Sequence, residues 1–365
     1  MIDKIRDDVM PSVVLTYTLI AHAPLIHFQH GQKGATLRAT EVKPKLDAFL
    51  KKKITEEKGK SWYIGDTKAL NYKLRLVETR RRDTFKIGSK TDYDIFYGNQ
   101  GPKNNIEKMG VLSDVEMTII CGNSALREMI DRYVGEFFVV TNFGSMSGKG
   151  FGSFTVKEKP MTRVQIAKAL KEKSGAAHCY AFCGGKAPFK NIKTVYSAMK
   201  SGISFGGKVP SILFDYMYNE NVMAIDNEKE WLREKGLVPL RPQRAPGHKT
   251  YRYVRALLGV GYMAPYRLKG GNLVISMKNA EIERLSSPIF FKVIDGMVYM
   301  VANRINEKIY GKKFEFSNDE GRSGELSVPT KDELTDNFID DFLDYVMWVI
   351  NDENVLKNVK IEEVL

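Results

Sequence analysis

Cysteine is scarce in this chain, with three thiols in 365 residues. That number cannot build a disulfide framework and fits a reducing compartment. Histidine is hardly commoner, at five residues, and neither type gathers into a convergent ligand set, so no metal and no cofactor are expected. No apolar run approaches the length that spans a bilayer. The stretch Met1-Ile2-Asp3-Lys4-Ile5-Arg6-Asp7-Asp8 is charged and lacks the apolar core of a secretion signal. We therefore expect a cytoplasmic protein. There is no periodic repeat and no low-complexity tract, which sets aside solenoids and disordered arrays. What is present is a hydrophobic content of 43% with 17 tyrosines and three tryptophans, the composition of a folded chain. Its 365 residues exceed one ordinary core, so two domains are the default.

Charge is abundant and uneven. The whole chain carries +12, yet residues 319–365 hold thirteen acidic against four basic residues, a net −9. Residues 1–318 therefore carry +21, and between Lys33 and Lys90 seventeen basic residues face seven acidic ones. A body of that sign attracts polyanions, RNA or DNA first among them. A basic surface that serves only solubility is the plain alternative. The acidic end reads as a contact for a neighbouring subunit or as a self-shielding face.

The stretch Asn142 to Phe154, N-F-G-S-M-S-G-K-G-F-G-S-F, stands out with four glycines, three serines and one lysine between apolar segments. Glycine admits positive φ and close approach of the backbone to a ligand. Consecutive amides form anion-binding concavities, and a lysine among them supplies a point charge for phosphate. A Walker loop does not fit, because three residues rather than four separate Gly144 from Gly148 and Gly150 follows Lys149. Gly148, Gly150 and Gly152 are spaced G-x-G-x-G, so the dinucleotide fingerprint fails as well. A glycine-rich hairpin that merely turns the chain remains open.

Taken in order, Val13 to Phe28 reads as a strand ending near Pro24, and Gly31 and Gly34 mark a loop. Thr40 is the expected cap of a helix to about Lys53, since Pro44 is tolerated only in a first turn. Val42, Leu46, Phe49 and Leu50 form its apolar face, with Lys43, Lys45 and Lys51 to Lys53 outward. Asn71 to Thr79 alternates as a strand followed by Arg80-Arg81-Arg82, and Thr84 to Lys108 reads as a long exposed segment. Val111 to Cys121 is strand-like, Asn123 or Ser124 caps a helix through Val134, and Phe137 to Thr141 and Gly152 to Lys157 are expected strands. The order β-α-β-β-α-β is that of a ferredoxin-like domain. Beyond Pro160 come basic helices over Thr162 to Lys173 and Ala187 to Ser201 around a strand, Ala177 to Cys183. Further helices are expected at Asp226 to Lys235, Tyr251 to Leu258 and Asn303 to Tyr310. Strands are expected at Asn272 to Lys278 and Ile289 to Ile294. Thr330-Lys331-Asp332-Glu333 is a capping box expected to open a helix carrying Leu334, Phe338, Ile339, Phe342 and Met347.

The run G-S-M-S-G-K-G-F-G-S-F resembles the glycine-rich loop of the RAMP superfamily, the RNA-binding proteins of CRISPR effector complexes. In that family a small basic loop ends in Gly-Phe-Gly-Ser, as Gly150 to Ser153 do here. Ala23-Pro24-Leu25 and Leu37-Arg38-Ala39-Thr40-Glu41-Val42-Lys43 are similar to its first strand and first helix. Arg284 to Val293 (R-L-S-S-P-I-F-F-K-V) is similar to a segment of the type III effector subunit at the guide RNA 3′ end. The family loop is commonly richer in arginine, where this one has only Lys149. The resemblance implies an α+β protein of two ferredoxin-like (RRM-like) domains with a glycine-rich loop and a C-terminal helix. The expected division is 1–160, 161–318 and an acidic helical tail, 319–365. Implied partners are guide RNA, alone or with target RNA, and other CRISPR effector subunits in antiviral defence, with no membrane. The RNA contacts expected are Lys33, Arg38, Lys43, Lys45, Arg80, Arg81, Arg82, Ser145, Ser147, Gly148, Lys149, Gly150 and Phe151. Tyr72, Phe85, Tyr93, Phe96 and Tyr97 near the arginines suit stacking on unpaired bases.

Some RAMP proteins are metal-independent endoribonucleases that process guide RNA precursors, which is the enzymatic alternative. His22, His27 and His30 admit three readings: ordinary histidines, a metal site, or a base acting on a 2′-hydroxyl. Cys179 and Cys183 beside His178 read as structural thiols. Backbone RAMP subunits that cut target RNA carry a loop aspartate, but no local motif singles out Asp66, Asp83, Asp92 or Asp94, so no catalytic residue is assigned. A protein that binds partners without RNA would leave the +21 body unexplained.

Overall fold

A computed structural model describes residues 13–27, 34–54, 62–67, 69–86, 109–203, 209–220, 225, 228–239, 250–261, 263–268, 271–352, 355–356 and 358–365. By their described residues two compact units separate. The first comprises Met1–Lys86, Lys108–Ser147 and Phe151–Ala169, the second Gly148–Gly150 and Leu170–Leu365. Both mix helices with antiparallel sheet, so the fold class is α+β.

The first unit contains β1 (Val14–Ala21), β2 (Leu25–His27), α1 (Ala39–Lys51), β3 (Lys73–Lys86), β4 (Met109–Ile120), α2 (Ser124–Val140) and β5 (Phe154–Val156), and α3 (Arg163–Ser174) begins in it. Its sheet runs β2-β4-β1-β5, with β3 also paired to β4. Alternation sets the faces: Tyr17, Leu19 and Ala21 on β1 are buried, and Val115, Met117 and Ile119 on β4 join them. Helix α1 buries Val42, Leu46, Phe49 and Leu50, the face its spacing predicts. It begins two residues earlier than expected, with Arg38 as N-cap and no side-chain cap, and Pro44 lies inside it. Asn123 caps α2 through Oδ1, which accepts from the Leu126 amide at 2.9 Å.

Phe137 to Val140 are the last turn of α2, not the strand that their aromatic and β-branched character predicts. All four are buried, and packing overrides local preference there. Phe137 meets Phe49 at 5.6 Å, Phe138 at 5.0 Å and Phe143 at 6.0 Å between ring centroids, and Phe143 meets Phe154 at 6.1 Å. This cluster pins both approaches to the glycine-rich stretch. Strand β3 runs through Arg80 to Lys86, further than its alternation predicts. Residues 87–108, most of the long segment expected after it, lie outside the described residues.

The second unit contains β6 (Cys179–Cys183), α4 (Pro188–Lys200), α5 (Ile212–Asn219), α6 (Glu228–Glu234), a 3-10 turn (Val254–Leu258), β7 (Met263–Leu268), β8 (Gly271–Lys278), β9 (Ile289–Ile294), β10 (Met297–Ala302), β11 (Lys313–Ser317), β12 (Ser323–Ser327), α7 (Phe338–Asp352) and β13 (Ile361–Glu363). One sheet has the order β13-β6-β10-β9 and a second β12-β11-β8-β7. Tyr180 on β6 is fully buried, and its hydroxyl donates to Asp344 Oδ1 on α7 at 2.6 Å. Around the second sheet Trp231 and Tyr253 pack edge-on to Phe316 at 5.4 and 5.0 Å.

The acidic stretch from 319 onward supplies β12, α7 and β13 to this unit, where its charge alone sets it apart as a tail. The Thr330 capping box is present, but it caps a single 3-10 turn, Lys331–Glu333. Helix α7 starts only at Phe338. Residues 303–310 likewise hold no more than a 3-10 turn, Glu307–Ile309. Among the described residues no helix is long and apolar enough to cross a membrane.

Candidate nucleic-acid interface

Four segments of the first unit converge around the start of the glycine-rich stretch. The Gly144 amide donates to Glu41 Oε1 in the first turn of α1 at 2.6 Å, and Lys45 Nζ donates to the same oxygen and to the Asn142 carbonyl, each at 3.2 Å. The Ser145 amide donates to the Ile26 carbonyl of β2 at 2.9 Å, and Asn142 Nδ2 donates to the Ser147 carbonyl at 2.7 Å. On the approach to α1, the Gly34 carbonyl accepts from Arg81 NH2 at 3.1 Å. Helix start, strand end and loop thus share one hydrogen-bonded rim, while Arg81 is bonded separately to the segment before α1.

The three arginines owe their separate directions to the sheet. β3 shifts register against β4 between Glu78 and Arg80 and again between Arg81 and Asp83, irregularities that re-aim side chains. Arg80 and Arg81 are exposed, and Arg81 is clamped by both Glu78 oxygens at 2.6 and 2.8 Å. Arg82 donates to Asp114 Oδ1 at 2.8 Å and to the Ala21 carbonyl. Asp114 also accepts the Ala21 amide at 3.0 Å, so Arg82 neutralises a buried carboxylate.

The other expected contacts divide. Ser145, Ser147 and Arg38 are half-buried in the rim, and Gly148 is exposed. Lys43 does not project outward: its Nζ donates to Asp47 Oδ2 and to the Leu70 carbonyl, both at 2.9 Å, and lies 4.1 Å from the Tyr72 ring centre. Lys45 is a strut between α1 and the loop rather than an outward cation. Phe151 is fully buried in the first unit's core and Gly150 is buried in the second unit, so neither is available to stack on or approach a nucleic acid in this conformation. Lys33 lies outside the described residues.

Lys149 departs most from its expected place. Its Nζ is buried without a hydrogen-bond partner, 3.0 Å from the Tyr196 ring centre and 5.7 Å from that of Phe291. Burial, with the nearby Lys200 adding repulsion, holds its pKa well below the ordinary lysine range.

His22 Nε2 meets Thr155 Oγ1 at 2.7 Å. His27 Nε2 meets the Thr36 carbonyl at 3.2 Å and stands 4.0 Å from Glu41 Oε2. Burial lowers the His27 pKa against the opposing pull of Glu41, so the ring is neutral near pH 7. His30 lies outside the described residues. Among the described residues no three His, Cys, Asp or Glu side chains gather as metal ligands. Cys179 is buried and Cys183 exposed at the end of the same strand, both as free thiols.

Sequence reasoning missed Glu41, the acceptor that organises the rim, and Asp114, the acceptor that holds Arg82. An acidic residue in a first helical turn was a legible sign for Glu41; Asp114 had none, since only strand pairing brings it to Arg82.

Fold and rim together describe a two-unit α+β protein, whose glycine-rich stretch resembles that of RAMP-type CRISPR-associated subunits. Residues 12–203 match the Cmr1 N-terminal domain and residues 208–364 the Cmr1 C-terminal domain, so the chain belongs to the Cmr1 family. No curated protein matches the sequence. Two solved structures are similar to it at low identity. The crystal structure of Cmr1 from Pyrococcus furiosus (apo form) shares 9% identity over 96% of this chain and 98% of its own, with a TM-score of 0.44. The cryo-EM structure of the type III-B Cmr-beta bound to cognate target RNA shares 10% over 40% of this chain, with a TM-score of 0.30. There the match spans 58% of that chain, under two thirds of its length.

Proposed function

We propose that this chain is an RNA-binding subunit of a type III CRISPR effector ribonucleoprotein, holding guide RNA or guide–target duplex by the phosphate backbone in antiviral defence. The observation that carries this is the exposed Arg80 and Arg81 in the same unit as the rim around the start of the glycine-rich stretch, in a body of +21 over residues 1–318. Backbone contacts carry no sequence information, which suits a guide whose sequence varies. Ser145, Ser147 and the exposed Gly148 present hydroxyls and amide backbone to phosphate at that rim. Other effector subunits are the expected protein partners, in the cytoplasm.

Each unit is read as ferredoxin-like. In the first, the succession β1-α1-β3-β4-α2-β5 with sheet order β3-β4-β1-β5 supports this. In the second, β6-α4-β9-β10-α7-β13 with order β13-β6-β10-β9 supports it, once the intervening second sheet and helices are set aside as insertions.

Purified protein is expected to bind single-stranded RNA with little sequence preference and a steep salt dependence. With about six phosphate contacts, affinity falls by about 10³ between about 50 mM and about 200 mM salt through counterion release. Fluorescence anisotropy over that range measures it. A flat response would remove the phosphate-dominated mode.

A further inference from the structure

Lys149 is a cation in a place that does not suit one. Its Nζ has no hydrogen-bond partner and rests on the face of Tyr196. The neighbouring backbone is tied to β9, where the Phe291 amide donates to the Gly148 carbonyl at 3.1 Å and Lys149 pairs with Phe291 as a parallel bridge. The charged or titratable groups around the amine come from α4, α6, β9 and the 3-10 turn. α4 contributes Tyr196, whose hydroxyl donates to the Leu258 carbonyl, and Lys200, which donates to the Gly259 carbonyl. Behind Lys200, Arg255 of the turn and Glu228 of α6 form an ion pair. Lys292 of β9 is fully buried, and alternation turns it to the other side of the strand from Phe291. No carboxylate bonds to Lys149.

A charged ammonium in such surroundings is strongly disfavoured, and the group neutralises instead. Lys149 therefore sits on Tyr196 as an amine, an N–H over a ring rather than a true cation–π pair. The residue before it leaves room to turn, since Gly148 has no atom within 4 Å of where a Cβ would stand. Gly150 is packed, with Val293 Cγ2 3.0 Å from its Cβ position at φ of +90°. The amine therefore leaves by rotation of the Lys149 side chain and of the backbone at Gly148.

We propose that Lys149 is a stored cation, which RNA draws off Tyr196 and out to a backbone phosphate. This rests on the RNA-binding reading above. Its consequence is a proton. The amine inside is R–NH₂; beside a phosphodiester, which keeps one negative charge across the neutral range, it is R–NH₃⁺, and the proton comes from solvent. The free protein holds the group's pKa below the ordinary lysine value of about 10.4, and a phosphate neighbour restores or raises it. Between those two values the bound state carries the extra proton, so binding tightens as pH falls. One linked proton changes affinity about tenfold per pH unit. Lys200, whose pKa burial and Arg255 push down to about 7 against the pull of Glu228, faces backbone carbonyls and stays in place.

The test uses the full chain and a single-stranded RNA of mixed sequence at one fixed salt concentration. Affinity is read by anisotropy from about pH 7 to about pH 9, and protons are counted by calorimetry in buffers of different ionisation enthalpy. The expected result is net proton uptake and binding that weakens as pH rises, approaching about tenfold per pH unit where the free protein's amine is deprotonated. Lys149→Met abolishes the linkage, and Lys200→Met keeps it. RNA binding that is flat with pH, or a linkage that survives Lys149→Met, overturns the proposal and leaves the RNA-binding reading intact. Absence of RNA binding at every pH takes down both. A wild-type count of zero overturns the proposal even if a variant fails to fold, and Lys149→Gln serves if Lys149→Met does not fold.

Discussion

Replacing Glu228 by alanine is expected to destabilise the protein by about 3–5 kcal/mol, the loss that follows when one partner of a buried ion pair is removed. Glu228 is completely buried. Its carboxylate accepts from the Arg255 amide at 3.2 Å and from Arg255 Nε at 2.6 Å, with NH2 at 2.5 Å. Without it Arg255 keeps its charge in an apolar setting and Lys200 loses the carboxylate that opposes its deprotonation. The pair's net worth is a separate matter, because desolvation offsets most of its attraction. The double replacement Glu228→Leu with Arg255→Met is therefore expected to recover most of the loss. Urea denaturation of the two variants beside the unaltered protein measures this. If Glu228→Ala costs less than about 1 kcal/mol, the carboxylate is not the counter-charge that this geometry makes it.

Gly152→Ala is expected to cost about 4 kcal/mol or more, while Gly148→Ala stays within about 0.5 kcal/mol. The G-x-G-x-G spacing makes these residues look equivalent, but their surroundings differ. A Cβ on Gly152 would stand 1.9 Å from the Phe143 carbonyl oxygen, at φ of +63°. The clashing atoms are backbone, fixed because the Phe143 amide donates to the Gly152 carbonyl at 3.0 Å and the Gly152 amide to the Pro24 carbonyl at 2.8 Å. Relief means dragging Phe143 out of the aromatic cluster that holds it. Gly150 lies between the extremes, with Val293 Cγ2 3.0 Å from its Cβ position. Thermal melts of Gly148→Ala and Gly152→Ala suffice, and equal melting temperatures would show that the base of the loop closes in another way.

The glycines show where sequence reading runs out. Their number marks a special loop, since no other residue is so tolerant of unusual φ. Which of them is indispensable depends on Phe143 and Pro24, placed by the core and by β2. Lys149 shows the same limit more sharply. A lysine among glycines and serines reads as a surface cation, because its neighbours in sequence bury nothing. Tyr196 and Phe291, far along the chain, bury its amine and change its chemistry. Lys43 and Lys45 are similar: the helical face that carries them is legible, but Asp47 and Leu70 turn Lys43 inward, and Glu41 and Asn142 tie the partly exposed Lys45 to the loop.

By itself the sequence determined what depends on near neighbours and on totals. The buried face of α1 follows from the spacing of Val42, Leu46, Phe49 and Leu50, because 3.6 residues per turn place them on one side. The Asn123 cap follows from a side chain that reaches the amides next to it. The pull on polyanions follows from the excess of basic residues, which is too large for a few buried amines to cancel. Tertiary structure alone decided the rest: that Phe137 to Val140 extend a helix, that the acidic end supplies the strand β13, that Arg82 serves Asp114 and that Lys149 is stored on Tyr196. In each of these the deciding energy is desolvation or packing against residues distant in the chain, and such energies exist only once the chain has folded.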